Sequence, residues 1–400
     1  MPLALRDPRV VIVAACLIAV VTFGARSGFG LFLEPISATH GWGREIFAVS
    51  IGLQNIIWGI GQPIAGALAD RYGTRRVLIV GAVVYCLGFV LMSWSTTPFM
   101  LHVSAGFLIG AGGAGASFAL VMAAVSRMVS DEQRSWALGL IVASSSLGQF
   151  LLVPLGQAFI DLYGWMTALV LIGVLVLAVL PLSLPFADQT KGAGIAAQTL
   201  GQALKEAIGH RSYLLLVAGF FVCGYHVAFI QTHLPAYIVD AGIDARIGAY
   251  AIALVGLFNI VGSYTAGVLG GKRSKKNLLA LIYTARAIVI ALYVALPITE
   301  TSTLVFAALM GLLWLSTVPL TSGLVAVMFG PRYMATLFGI VFLSHQAGAF
   351  LGVWLGGWAF DTLGSYTAVW WSGVGLALVA ALVHLPISER PVARLQPVAE

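Results

Sequence analysis

Short polar breaks divide the chain into apolar runs of roughly 20–28 residues, and this pattern constrains the fold more than any other feature. An α-helix rises about 1.5 Å per residue, so about 20 apolar residues are needed to cross the hydrocarbon core of a bilayer. We number the runs of this length as spans 1–12. Their approximate limits are 10–35, 46–69, 76–96, 99–126, 135–159, 165–186, 213–238, 250–270, 277–297, 302–329, 335–359 and 366–386. The pattern predicts an all-α membrane protein with twelve transmembrane helices.

The amino-acid composition excludes several other classes of protein. Hydrophobic side chains make up 60% of the 400 residues and charged side chains only 9%, unlike a soluble globular domain. The sequence contains no G-x-x-x-x-G-K-[ST] phosphate loop, no cluster of metal ligands and no pairing of a nucleophile with a base. We therefore expect neither an enzyme nor an ATP-driven pump, and we expect no cofactor and no metal. The three cysteines fall within spans, so no disulfide is expected.

The distribution of positive charge predicts the orientation of the spans. With the N-terminus inside, 17 of the 21 Lys and Arg residues fall in cytoplasmic segments, and only Arg44 and Arg246 fall in outside loops. Cytoplasmic loops of membrane proteins carry such an excess of basic residues. We therefore expect a multi-pass protein of the cytoplasmic (inner) membrane with both termini in the cytoplasm. The net charge of +6 then reflects topology, and no nucleic acid is expected as a partner.

The chain consists of two related halves. A polar segment at 187–211 separates six spans from six, which predicts an N-terminal bundle over 1–186, a cytoplasmic linker over 187–211 and a C-terminal bundle over 212–400. Asp161-Leu-Tyr-Gly164 matches Asp361-Thr-Leu-Gly364 at an offset of 200 residues. Similar matches recur at an almost constant offset along most of each half. Two six-helix pseudo-repeats are typical of transporters whose halves rock around a site at their interface.

A glycine- and arginine-rich motif connects spans 2 and 3. The stretch Gly66-Ala-Leu-Ala-Asp70-Arg71-Tyr-Gly73-Thr-Arg75-Arg resembles the G-x-L-x-D-r-x-G-r-r signature of the major facilitator superfamily. The resemblance implies the fold of that superfamily, in which helices 1, 4, 7 and 10 line a central cavity. It also implies that the motif takes part in the conformational change. The second half has a degraded copy, in which a glycine replaces the aspartate.

Three other stretches are similar to the bacterial monocarboxylate- and oxalate-porter branch of that superfamily. They are FGARSGFGLFLEPIS in span 1, QPIAGALADRYG in span 2 and GLFNIVGSYTAGVL in span 8. Monocarboxylate porters carry an aspartate or asparagine in helix 8 and an arginine four residues later. Here Asn259 occupies the first position and Ser263 the second, so the carboxylate-binding arrangement of those porters is incomplete in this helix.

Two arginines lie inside apolar spans and are candidates to supply the missing positive charge. Arg26 is in span 1 and Arg286 is in span 9, and none of the 15 acidic residues lies at a comparable depth. A charge in the membrane is costly and usually marks a ligand site or a pathway. Guanidinium groups suit carboxylates, so Arg26 is expected to bind an anionic substrate. Arg286 either adds a second anion contact or bonds to Tyr283, to backbone groups or to the inner interface.

Polar side chains in other spans complete the predicted site. His226 matches Arg26 at the offset of 200 and lies in a span expected to line the cavity. His226 and His345 are predicted to carry protons, because histidine titrates near neutral pH, and also to contact substrate together with Gln346. Gln149 and Asn259 are further candidates for hydrogen bonds to an oxygen-rich ligand. For each of these residues the alternative is a packing role between helices.

The glycines of spans 4 and 11 are expected to let helices pack closely. They are Gly106, Gly110, Gly112, Gly113 and Gly115 in span 4, and Gly348, Gly352 and Gly356 in span 11.

The sequence as a whole predicts a monomeric secondary transporter in the lipid bilayer that moves a small organic anion, a monocarboxylate in particular, with coupling to protons. The alternative is a proton-antiport exporter of a drug or other toxic compound. A mid-membrane carboxylate, which exporters of cationic drugs generally need, is missing from the spans. A non-transporting receptor is disfavoured because no additional domain is visible.

Overall fold

The computed structural model describes residues 7–128, 131–186, 199–330 and 333–395, and within these ranges it contains helices and no strands. Ten helices in this part of the chain are long and apolar enough to cross a membrane. One of them, Trp136–Leu182, changes direction at Gly164, where φ is 77°. Arg44–Tyr72 is a further helix of 29 residues. Dividing the first of these helices at Gly164 and adding the second raises the number from ten to twelve long helices in the described chain. This number agrees with the number of spans predicted.

We number these helices α1–α12 in chain order. They are α1 Pro8–His40, α2 Arg44–Tyr72, α3 Thr74–Ser93, α4 Pro98–Ser126, α5 131–163, α6 165–182, α7 Arg211–Asp240, α8 Ala245–Lys272, α9 Lys275–Ala295, α10 Glu300–Phe329, α11 Met334–Leu363 and α12 Thr367–His384. A short helix, Leu200–Ile208, precedes α7. Residues 187–198 of the predicted linker lie outside the described residues, so the boundaries at 186 and 212 stay a prediction.

Four of these helices are interrupted, α6 between Val176 and Val179 and the other three further from their ends. The α-helical start of α1 ends at Ser27 and continues as a 3-10 segment over Phe29–Phe32. The regular turns of α4 stop at Gly115 and resume at Phe118, and those of α10 stop at Leu313 and resume at Thr317. Interruptions in a bilayer leave backbone groups without helical partners, and these groups must be satisfied by other side chains or by water.

The most extensive helix contacts join α1 with α5 in the first half and α7 with α11 in the second, and we refer to α1–α6 and α7–α12 as the two bundles. The bundles meet where α2 packs on α11, where α5 packs on α8 and where the 3-10 segment of α1 packs on α7. We call the end at which α1 begins and α12 finishes the near end, and the opposite end the far end. Far-end turns in the two bundles contain Gly164 and Gly364, with φ of 77° and 67°. A positive φ favours glycine, so both turns of the predicted repeat use glycine at such a position, although their ψ angles differ, at 162° and 13°.

Equivalent polar contacts join the two bundles at the far end. Asp161 at the end of α5 accepts a 2.9 Å bond from Arg246 at the start of α8. Asp361, the repeat partner of Asp161, accepts bonds of 2.8 and 2.7 Å from the backbone nitrogens of Arg44 and Glu45 at the start of α2. A carboxylate at a helix start is favourable because the first backbone N–H groups lack partners and the helix dipole is positive there. Each bundle therefore contributes one of the two equivalent carboxylates, and each carboxylate bonds to the start of a helix in the other bundle.

The Arg44 side chain adds the strongest of these far-end contacts. Its guanidinium donates bonds of 2.6 and 2.7 Å to both oxygens of Asp240 in α7, and a third of 2.8 Å to the hydroxyl of Tyr366. It also lies 3.7 Å from the ring centroid of Phe360. The Arg44 side chain is only 10% exposed, whereas that of Arg246 is 59% exposed.

Substitution of these two arginines tests the far-end contact. Arg44→Ala should lower the stability of the protein by roughly 2–3 kcal/mol, because it removes a bidentate pair and leaves Asp240 without its cation. Arg246→Ala should have a much smaller effect, because exposed ion pairs contribute little. Thermal unfolding of both variants in detergent checks this order. Equal shifts in midpoint would show that Arg44 is no more important than Arg246.

Candidate functional site

The side chain of Arg26 in α1 turns toward α2. Its guanidinium donates a short hydrogen bond to the side-chain oxygen of Asn55. It also lies 4.3 Å from the ring centroid of Trp58, one helical turn further along α2, in a cation–π contact. The amide of Asn55 is held in turn by a 2.8 Å bond to the carbonyl of Ile51 in the same helix. Two neighbouring turns of α2 therefore position the guanidinium.

Arg26 has no acidic partner among the residues that the structure describes, and it takes part in none of the ion pairs between them. Its Nε atom is buried and has no hydrogen-bond partner, and the residue as a whole is half-buried. Arg26 also lines a pocket between α1, α2, α3 and α4, together with Gln54, Trp58, Tyr85 and Phe118. The geometry leaves a partly satisfied cation beside an apolar and aromatic pocket.

Trp58 connects this pocket to the other bundle. Its ring meets Phe342 of α11 edge-on, with centroids 5.3 Å apart. Phe342 stacks on His345 at 5.6 Å with an interplanar angle of 10°. Nδ1 of His345 donates a 3.1 Å bond to Oε1 of Gln346, whose Nε2 is buried without a partner. The structure therefore brings two of the predicted C-terminal residues, His345 and Gln346, to the side of α11 that faces Arg26 across two aromatic rings.

Gln149 and Asn259 lie between the bundles, at the contact of α5 with α8. Gln149 donates a 2.8 Å bond to the carbonyl of Ile252, and its own side-chain oxygen is buried without a partner. Asn259 donates a 2.9 Å bond to Ser146 of α5. The oxygen of Asn259 accepts bonds of 2.9 Å from Ser263 and from the backbone N–H of Leu315 at the interruption of α10. Both side chains thus make specific bonds between helices.

Arg286 is fully buried and bonds to backbone carbonyls at the same interruption of α10. It donates a 2.7 Å bond to the carbonyl of Leu313 and a shorter one to the carbonyl of Trp314. Its guanidinium also lies 3.6 Å from the Sγ atom of Cys223 in α7 and 5.3 Å from the ring centroid of Tyr283. The last carbonyls of a helix segment lack partners and carry partial negative charge, so they suit a cation. One guanidinium nitrogen, Nη1, remains buried without a partner.

His226 is buried on the side of α7 that packs against α12. Its Nε2 atom donates a 2.8 Å bond to the carbonyl of Gly373, and its Nδ1 atom has no partner. Arg26 and His226 hold equivalent positions in the repeat, yet Arg26 turns to the second helix of its bundle and His226 turns to the last helix of its own. The structure therefore does not bring these two residues together.

The motif between α2 and α3 forms a tight connection at the near end. Gly73 has a φ of 91° and joins the two helices, a conformation that favours glycine. Arg71 lies 5.2 Å from the ring centroid of Tyr72, and Arg75 is half-buried. A side chain at Gly66 would meet no atom within 4 Å, so close packing is not required there in this conformation. The side chain of Asp70 lies outside the described part of the structure.

Sequence reasoning missed Asn55 and Trp58, the two residues that hold Arg26. Their spacing of three places them on one face of α2, and an amide within a long apolar run is a signal in itself. Asn55 is therefore identifiable from the sequence as a polar partner for Arg26 in the neighbouring span.

Comparisons with known proteins agree with this architecture. The sequence profile of the Major Facilitator Superfamily matches residues 15–352. Monocarboxylate transporter 13 of Rattus norvegicus is 28% identical over 373 residues, covering 90% of this chain and 83% of that protein. The uncharacterized MFS-type transporter YcxA of Bacillus subtilis is 26% identical over 379 residues, which are 90% of each protein. Monocarboxylate transporter 11 of Homo sapiens is 26% identical over 397 residues, covering 94% and 82%.

Two solved structures share the fold. A crystal structure of the nucleoside transporter NupG superposes with a TM-score of 0.78 at 12% identity, covering 94% of this chain and 99% of that one. A bacterial homolog of the human lysosomal transporter Spinster superposes with a TM-score of 0.74 at 14% identity, covering 97% and 98%. At these identities the likeness concerns the arrangement of the helices.

The role of Arg286 at the interruption of α10 can be tested by substitution. Arg286→Leu should lower the midpoint of thermal unfolding strongly, because it leaves two buried carbonyls without donors at about 1–3 kcal/mol each. Thr284→Val is a matched control on the same helix, since the Thr284 hydroxyl bonds only to the carbonyl of Ala280 one turn earlier. The control should unfold close to the unmodified protein. If both variants unfolded alike, the carbonyl contacts of Arg286 would not be stabilising.

Proposed function

The chain belongs to the Major Facilitator Superfamily, and from this premise we propose that it is a secondary active transporter of a small organic anion, in particular a monocarboxylate. Relatives at 24–28% identity carry the name monocarboxylate transporter, which supports this class of substrate. The fold and these relatives are those of transporters, and the chain is not an enzyme. Each chain contains the whole pocket around Arg26, so we propose that a monomer is sufficient for transport.

The partly satisfied guanidinium of Arg26 is the observation that carries the proposal. Arg26 makes one hydrogen bond to a neutral amide and no ion pair with a described residue. Trp58 covers one face of the guanidinium, and the edges of that group remain the places where a carboxylate binds with two parallel bonds. An anion there would compensate a charge that is otherwise costly within a membrane.

Arg26 is also a candidate replacement for the arginine that α8 lacks. Ser263 stands where the resembled porters have their helix 8 arginine, and its hydroxyl bonds to Asn259. We propose that Arg26 supplies the positive charge from α1, on the opposite bundle. In this arrangement Asn259 and Arg286 support the interruption of α10, and Gln149 joins α5 to α8.

We propose that substrate reaches the pocket from the near end in this conformation. The polar contacts between the bundles that involve described residues lie at mid-depth, as with Gln149 and Asn259, or at the far end, as with Arg44 and Asp361. Within the described chain α4 and α10 pack mainly on helices of their own bundles. We propose that the near end is cytoplasmic, as the basic segments predict, and that the bundles rock to open the far end.

We propose that His345 carries the coupled proton. It stacks on Phe342, which contacts Trp58 above Arg26, and a substrate carboxylate at Arg26 would therefore lie near it. Gln346 and Cys223 face the ring, and Phe220 packs on it at 5.0 Å. His226, the other histidine predicted from the sequence to carry protons, bonds to Gly373 of α12, and we propose no role for it in coupling.

Charged and uncharged substitutions of Asn55 test whether Arg26 binds an anion. Asn55→Asp places a carboxylate beside Arg26, and this internal anion should compete with the substrate and raise the half-saturating concentration at least tenfold, about 1.4 kcal/mol. Asn55→Leu has a similar shape without the charge and should keep substrate affinity within a few-fold. Arg26→Gln should abolish transport. Counterflow of labelled monocarboxylates in proteoliposomes measures all three variants.

Two results would contradict the anion site. One is normal transport by Arg26→Gln in protein that is correctly folded. The other is an equal effect of Asn55→Asp and Asn55→Leu, because the added charge would then be irrelevant. Counterflow reports exchange in either direction, so the assay applies equally to an importer and to an exporter of an anionic toxic compound.

The proton carrier can be separated from the substrate site. His345→Gln should abolish accumulation driven by a pH gradient and retain counterflow, because glutamine keeps hydrogen-bonding capacity without a titrating group. His226→Gln is the matched comparison and should retain both activities. Uptake with and without an imposed pH gradient measures the difference. Gradient-driven accumulation by His345→Gln equal to that of the unmodified protein would remove His345 from the coupling mechanism.

A further inference from the structure

One glycine of α4 differs from all the other glycines predicted to pack that helix against its neighbours. A Cβ atom at Gly106 would lie 2.9 Å from Leu53, at Gly110 2.8 Å from the carbonyl of Gln54, and at Gly115 2.9 Å from Gly81. Gly112 is similarly tight against Tyr85. These four positions confirm the expected close packing. At Gly113 an added Cβ would meet no atom within 4 Å, so close packing does not explain this glycine.

The space at Gly113 belongs to the pocket of Arg26. Gly113 lines that pocket together with Phe23, Trp58 and Phe118. The rings of Phe23 and Phe118 meet edge-on with centroids 6.0 Å apart, and Trp58 is held between Arg26 and Phe342. Three aromatic rings thus form an apolar side of the space, which Gln54 and Ser117 also line, and Gly113 adds no side chain to it.

We propose that Gly113 is a specificity-determining residue, whose missing side chain leaves room for the apolar tail of a monocarboxylate bound at Arg26. The proposal rests on the transport function proposed above and extends it from the charged end of the substrate to the other end. Aromatic side chains bind an apolar tail by burying its surface. A carbon chain or a flat ring needs no hydrogen bonds, so it loses none when it leaves water for this space. The geometry therefore favours monocarboxylates with several carbon atoms or a ring over dicarboxylates, whose second charge would lie in a mostly apolar space with no cation other than Arg26 among its lining residues.

The position also suits substitution. Gly113 lies within the regular helical segment Ile109–Gly115, where alanine has a higher helix propensity than glycine, and an added side chain would enter free space. Gly139 in α5 provides a matched control, because a Cβ there also meets no atom within 4 Å and Gly139 does not line the pocket.

The test compares acetate, butyrate and benzoate in proteoliposomes containing Gly113→Ala, Gly113→Leu or Gly139→Leu. Gly113→Leu should reduce benzoate and butyrate transport at least tenfold and change acetate transport less than twofold. Gly113→Ala should give a smaller shift in the same direction, and Gly139→Leu should leave the preference unchanged. An equal loss of all three substrates in both Gly113 variants, or no change of preference, overturns the proposal while the transport function stands. If the unmodified protein transports none of the three acids and does not bind them, both proposals fall.

Discussion

The contact between Arg26, Asn55 and Trp58 is the interaction on which the functional interpretation depends. A guanidinium inside a helical bundle must be compensated, and α2 offers it a neutral amide and an indole face instead of a carboxylate. Arg286 meets the same requirement differently, because two backbone carbonyls at the interruption of α10 take its hydrogen bonds. One arginine therefore has a structural role that is nearly complete, and the other retains capacity for a ligand.

The interruptions of α4 and α10 connect the site to the packing of the bundles. In α4, Gln62 donates a 2.7 Å bond to Ser117 at the interruption, and in α10 the free backbone groups are taken by Arg286 and Asn259. Asn259 also bonds to Ser146 across the bundles. A movement of one bundle past the other must therefore change the hydrogen bonds at the interruption of α10. His345 belongs to the same bundle as this interruption. At the far end, Asp161 and Asp361, which are related by the repeat, bond to the opposite bundle and hold the two bundles together there.

Much of the architecture could be predicted from the sequence because it depends on long signals. Apolar length predicted the spans, and the offset of 200 residues matched the two glycines with positive φ, Gly164 and Gly364. The directions of individual side chains could not be predicted in the same way. Most of these helices are apolar on all faces, so no amphipathic stripe indicates which side of a helix faces the centre. His226 and Arg26 hold equivalent positions and still turn to different helices, and Gly113 differs from its neighbouring glycines only in what lies opposite it.

The most direct measurement is an experimental structure of the protein with a bound monocarboxylate that carries a heavy atom, such as a bromobenzoate. We expect the carboxylate oxygens to lie within hydrogen-bond distance of the Arg26 guanidinium, with the ring between Trp58 and α4. A ligand bound elsewhere in the central cavity, with the Arg26 guanidinium still bonded only to Asn55, would show that Arg26 is not the anion site.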